Sequence, residues 1–213
     1  MDPLRRRTDK IRKILRSAYP DVKTALAHRN PFELLVATIL SAQTTDRQVN
    51  SVTEALFDRF PTAADLAAAP LGEIEALVRP TGFFHNKARN IKACARALAE
   101  QHDGRVPADL DALTRLPGVG RKTANVVLGA AFGIPGMVVD THVKRVAGRL
   151  GLTTRSDPVK IEYDLMPLVP KSAWHTFGLQ LIHFGRDVCR ARKPACPDCP
   201  LHHLCPYPDK TGA

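Results

Sequence analysis

The sequence predicts an all-α protein. Three observations carry that expectation: apolar residues recur at helical spacing along most of the chain, strand-type alternation is nearly absent, and turns rich in Pro and Gly fall between the periodic stretches. Met137-Val138-Val139 is too short to build a sheet. With 213 residues, 44% of them hydrophobic, the chain can bury one large core or two small ones. No apolar run is long enough to cross a bilayer.

The first clear helix carries Phe32, Leu35, Val36, Ile39 and Leu40, one face of an amphipathic segment. Similar spacing predicts helices over 45–59, 71–78, 85–101, 110–116, 121–132, 142–150, 158–168 and 174–185. Asn30-Pro31, Phe60-Pro61, Pro80-Thr81-Gly82, Pro117-Gly118 and Ile134-Pro135-Gly136 mark the turns. Cys94, between Ile91 and Leu98 on one helical face, reads as a small buried hydrophobe. There is no internal repeat and no low-complexity linker. The Gly133–Gly136 turn is the best candidate for a crossing between domains.

Lys and Arg number 31 against 21 Asp and Glu, a formal charge of +10 that favours polyanions, nucleic acid first. An anionic membrane is the weaker partner, because no long Lys/Arg helix with an aromatic face is present. A simple basic RNA binder also satisfies the charge. Arg5-Arg6-Arg7 reads as a solvated, flexible end.

Residues 110–130 hold a more specific signal. A helix ends at Leu116, Pro117-Gly118-Val119-Gly120 makes a tight turn, and a second helix starts near Arg121. The glycines permit positive φ and close approach of another molecule, and the N–H groups opening a helix form an anion site. That is how a helix–hairpin–helix grips a DNA phosphate without reading sequence. Lys122 falls in the first helical turn, where the positive dipole end and the adjacent Arg121 disfavour an ammonium. Partial burial would add to that effect. A lysine so placed is a usable amine nucleophile, able to form a Schiff base, or else a phosphate ligand. Asp140, in Val139-Asp140-Thr141-His142, suits an N-cap, and capping leaves its carboxylate able to do chemistry. His142 reads as a surface or supporting histidine, with no catalytic role.

Cys189, Cys196, Cys199 and Cys205 form a C-x6-C-x2-C-x5-C array among prolines that favour a tight wrap over a helix. Four thiolates suit an iron–sulfur cluster or zinc, and spacing leaves both open, since His202 or His203 could replace a thiolate. A disulfide pairing is the third reading; the absence of a signal peptide weighs against it.

The hairpin lysine, Val139-Asp140-Thr141-His142 and the four-cysteine array occur together and in order. The combination resembles the endonuclease III family of DNA glycosylases, in the helix–hairpin–helix glycosylase superfamily, from about Ile11 to Tyr207. Leu40-Ser41-Ala42-Gln43-Thr44-Thr45-Asp46 and Lys87-Ala88-Arg89-Asn90-Ile91 look like that family too. The resemblance implies two helical domains flanking a DNA-binding cleft. One is a six-helix barrel over 24–133 carrying the hairpin; the other joins 1–23 to 134–213 and holds a [4Fe–4S] cluster.

It also implies roles. Lys122 would be the nucleophile, Asp140 the catalytic carboxylate, and Cys189, Cys196, Cys199 and Cys205 the cluster ligands. Gln43 stands at the position of a residue that fills the hole left by an extruded base, and Phe83 on a loop where a wedge could enter the duplex. Leu116, Gly118, Val119, Gly120 and Arg121 would meet DNA at the hairpin, and Arg190, Arg192 and Lys193 on the tail. Phe83-Phe84-His85 departs from the family's more usual aliphatic wedge followed by Tyr and Asn, and Gly129 replaces a larger polar residue. The implied activity is a bifunctional glycosylase and AP lyase on oxidised pyrimidines or abasic sites in double-stranded DNA. The implied enzyme is a monomer in a bacterial cytoplasm, associated with the nucleoid and not with a membrane. A monofunctional adenine-mismatch glycosylase is the enzymatic alternative, although it lacks the lysine. A non-catalytic helix–hairpin–helix module is the other, although it needs neither Lys122 nor Asp140.

Overall fold

The computed structural model describes residues 2–211, and those residues form α-helices and short 3-10 turns with no strand. They cluster into two compact units: Thr24–Ile134, and the residues up to Lys23 together with those from Pro135 onward.

The contiguous unit is built round α2 (Pro31–Leu40), in which every residue from Phe32 to Leu40 is buried. Pro31 fits the first helical position, and Asn30 caps the end by accepting a hydrogen bond from Glu33 N. A helix apolar on all sides needs neighbours on all sides. These are α3 (Asp46–Arg59), α6 (Phe84–Gln101) and α8 (Arg121–Phe132). Buried Glu33 is held by Arg29, whose Nε lies 2.8 Å from Oε1 and whose backbone N lies 2.6 Å from Oε2. The remaining helices of this unit are α4 (Ala63–Ala68), α5 (Leu71–Val78) and α7 (Leu110–Arg115). Helix α4 is not visible in the hydrophobic spacing, because six residues are too few for a period. Its signal is a capping box, with Thr62 and Asp65 each bonding the other's backbone N–H.

The other unit holds α1 (Pro3–Ala18), α9 (Thr141–Arg149), α10 (Pro158–Leu165) and α11 (Trp174–Asp187). Helix α11 buries Phe177, Leu181 and Phe184 and packs on α9 and α1. Met137-Val138-Val139 forms no sheet. It is a buried extended segment lying against α11 at Gly178, where an added Cβ would stand 3.1 Å from the Val138 carbonyl oxygen. Arg5-Arg6-Arg7 is not a flexible end. It lies within α1, and half-buried Arg7 donates to the carbonyls of Leu150, Gly151 and Leu204. Three carbonyls at a turn and a loop end need donors, and a guanidinium supplies several from one side chain.

The close approach at Gly178 gives a direct test. Gly178→Ala should destabilise the protein by about 1–3 kcal/mol, since backbone atoms must shift. Gly72→Ala, on α5 with open space around it, should stabilise it by about 0.5 kcal/mol through helix propensity alone. Denaturant midpoints read both, and equal effects would contradict the packing described.

Candidate active site

Helix α7 stops at Leu116, whose extended ψ turns the chain out of the helix. The Val119 N–H returns to the Leu116 carbonyl at 3.1 Å, and Gly118 takes φ +77°. A side chain at Gly118 would be excluded twice: its φ is left-handed, and its Cβ would stand 2.9 Å from Asn90 Cβ. Gly120 is the N-cap of α8 and supplies no side-chain cap. Leu116 and Val119 are buried in the core of this unit. Their side chains are thus turned into the core, which leaves the backbone of the turn for the contact expected of it.

Lys122 is the second residue of α8 and is exposed, so the partial burial considered for it is not found. Its amine is carried at the positive end of a helix dipole. Asp140, in the other unit, is the N-cap of α9. One carboxylate oxygen accepts from His142 N at 2.8 Å and Val143 N at 2.9 Å; the other lies 3.0 Å from His142 Nδ1. The side chain is 12% exposed. Asp140 is thus both a cap and a carboxylate fixed on both oxygens, with His142 in the supporting role expected of it.

Gln43 and Phe83 share an unusual property: both are non-glycine residues with left-handed backbones, at φ 53° and 48°. Phe83 is 67% exposed, so core packing does not account for it. Of its neighbours, Phe84 stacks near His85, and His85 Nδ1 lies 2.8 Å from Glu75 Oε1 on α5.

The four tail cysteines are brought together. Cys189, Cys196, Cys199 and Cys205 line one cavity. None is disulfide-bonded. No group of three or more His, Cys, Asp or Glu side chains among the described residues is placed to hold a metal ion. Four cysteine sulfurs lining one cavity are the donor set of an iron–sulfur cluster with one thiolate to each iron. Burial pushes the Cys199 thiol up, and the other three sulfurs push the same way, against a backbone N–H from Leu201. Four thiolates side by side need a strongly positive group among them, as an iron–sulfur cluster provides. His203 is exposed and does not line the cavity; His202 lines it, with Nδ1 2.7 Å from the Cys196 carbonyl.

Two residues that spacing alone did not reveal tie this loop to α9. Arg149 donates to Cys189 Sγ at 3.4 Å and to the carbonyls of Arg190 and Ala191. Arg145 donates to the carbonyls of Gly185 and Cys189. Only their placement on one helical face, four residues apart, hints at a shared target. Arg190, Arg192 and Lys193 are exposed, the last with φ 50°.

Comparison with known proteins accords with this arrangement. Residues 36–171 match the family described as HhH-GPD superfamily base excision DNA repair protein. The chain is 53% identical to an endonuclease III of Synechocystis sp. over 203 residues, which cover 95% of this chain and 93% of that one. Two solved structures, a non-covalent endonuclease III–DNA complex and a trapped endonuclease III–DNA covalent intermediate, each superpose with a TM-score of 0.88. Each is 47% identical and covers 93% of this chain and 95% of its own. The chain belongs to the endonuclease III family within the HhH-GPD superfamily of base excision DNA repair proteins.

Proposed function

We propose that the protein is a bifunctional DNA glycosylase and AP lyase that removes oxidised pyrimidines from duplex DNA by way of a lysine Schiff base. The observation that carries the reading is Lys122, exposed in the first turn of a helix that follows a glycine turn and lacks a side-chain cap. An amine there can reach an extrahelical sugar while the turn's backbone holds an adjacent phosphate. That a relative of this chain has been captured as a trapped covalent intermediate with DNA supports the same chemistry.

The damaged nucleotide leaves the stack, at a cost of a few kcal/mol that is least for a damaged base. Neutral Lys122 forms a bond from Nζ to C1′, and the glycosidic electron pair departs with the base. Asp140, fixed by His142 and Val143, is the carboxylate we assign to stabilising positive charge on the sugar. The proton that the amine sheds passes to O4′ as the C1′–O4′ bond breaks, leaving an iminium that acidifies C2′–H; loss of the C2′ proton expels the 3′ phosphate and cuts the strand. Gln43 and Phe83, exposed on left-handed backbones, are the residues we assign to the space vacated in the duplex.

The cysteine-lined cavity would hold a [4Fe–4S] cluster on Cys189, Cys196, Cys199 and Cys205. When bound, the cluster supplies a rigid positively charged centre that folds the tail. Arg190, Arg192 and Lys193 then sit on an ordered loop and meet phosphates. No helix among the described residues is long and apolar enough to cross a membrane. By likeness to its bacterial relatives, we place the enzyme, as a monomer, at the nucleoid of a bacterial cytoplasm.

Two measurements follow. On a duplex with thymine glycol opposite A, wild type should cut the strand and leave a β-elimination end. Lys122→Gln should lower that rate by about 10³-fold or more, and Asp140→Asn by about 10²–10⁴-fold. Unchanged cutting by Lys122→Gln would contradict the reading. Protein purified without oxygen should contain about four irons per chain. Cys199→Ser should lower iron content and thermal midpoint together, whereas one zinc per chain would contradict the cluster.

A further inference from the structure

Lys87 is a buried titratable residue for which the reaction above has no use. It lies on α6, is 4% exposed, and its burial pushes its pKa down. Its Nζ donates to Thr44 Oγ1 at 2.6 Å and to the Thr81 carbonyl at 2.8 Å, neither of them a carboxylate. Thr44 Oγ1 in turn donates to the same Thr81 carbonyl at 2.5 Å. Thr81 is itself buried and anchored, its hydroxyl donating to the Val78 carbonyl at 2.7 Å. A buried amine with no ionic partner is unfavourable, and a methionine would fill the same space without that cost. The amine therefore needs a reason, and its acceptors supply one.

Thr44 follows Gln43 in the chain, and Thr81 precedes Gly82-Phe83. Gln43 and Phe83 are two of the four non-glycine residues with positive φ among those described. The Lys87 backbone N–H also donates to the Phe83 carbonyl, at 3.1 Å. One residue thus bonds to Phe83 through its main chain and to the flanks of Gln43 and Phe83 through its side chain. Left-handed backbones at such residues persist only where their surroundings over-determine them.

We propose that Lys87 is a positioning residue that tethers the loop of Gln43 to the loop of Phe83, fixing their separation so that both enter the duplex together when a base is extruded. The inference rests on the assignment of those two residues above. It concerns extrusion and not bond breaking, so its effect should depend on whether the target is stacked in a duplex. A misplacement of about 1 Å in such a constellation costs on the order of 10²-fold in rate.

The test compares single-turnover rates on thymine glycol in a duplex with those on an abasic site in single-stranded DNA, which has no stack to open. Lys87→Met keeps the side chain's length and removes its donors; Thr44→Val keeps shape and removes the hydroxyl; Thr44→Ser retains it. Lys87→Met and Thr44→Val should each lower the ratio of duplex to single-strand rate by about 10- to 100-fold. The double variant should be no worse than the worse single variant, and Thr44→Ser should restore the ratio. If Lys87→Met fails to fold, Thr44→Val against Thr44→Ser decides the matter, since that hydroxyl is only half-buried. Variants with wild-type thermal midpoints and an unmoved ratio, or with both rates falling equally, would overturn the tether. A wild type inert on both substrates would instead overturn the proposed function, and the tether with it.

Discussion

The turn between α7 and α8 depends on a single steric condition, the absence of a side chain at residue 118. Gly118 holds φ +77°, and its backbone lies so close to α6 that a Cβ would meet Asn90 at 2.9 Å. That contact fixes where α8 starts, and the start of α8 fixes Lys122 in the first helical turn. Behind it, α8 packs on the fully buried α2, so the end carrying the amine is backed by the core of the unit. Buried Leu116 and Val119 anchor the turn from within. Side chains thus set the position of the turn.

A second constraint organises the tail. Residues 189–205 have little apolar content of their own, and their fold is set by backbone turns, by arginines from α9 and by four sulfurs round one cavity. Arg149 and Arg145 give this loop a fixed base on a helix that begins at Asp140. The carboxylate and the sulfur-lined cavity therefore belong to one packed unit, and Arg7 ties α1 to it as well. A group bound among the cysteines would stabilise the loop by uniting four repelling thiolates.

Much of this was legible in the sequence. Helical spacing found α2, α3, α5, α6 and most later helices, because each buries one face and repeats often enough to show a period. It missed α1, a charged helix whose buried residues are only Thr8, Ile11 and Leu15, and α4, whose six residues carry a capping signal instead of a period. Motif and order pointed to Lys122, Asp140 and the cysteines, since their chemistry depends on residue type. What could not be read were contacts made at long range. Arg7 looked like part of a charged end, yet it bonds to carbonyls more than 140 residues away. Nothing in the spacing gave Lys87 its acceptors at Thr44 and Thr81, or Arg149 its sulfur. Exposure was equally hidden: the spacing does not show that Lys122 and Phe83 face solvent.

The proposed chemistry turns on a covalent bond between one nitrogen and a sugar carbon. Reduction with borohydride during reaction with lesion-bearing duplex, followed by digestion and mass spectrometry of the protein–DNA adduct, locates that bond. The sugar remnant should be found on Lys122. An adduct on another lysine or on the N-terminal amine, or no adduct while the strand is still cut, would contradict it.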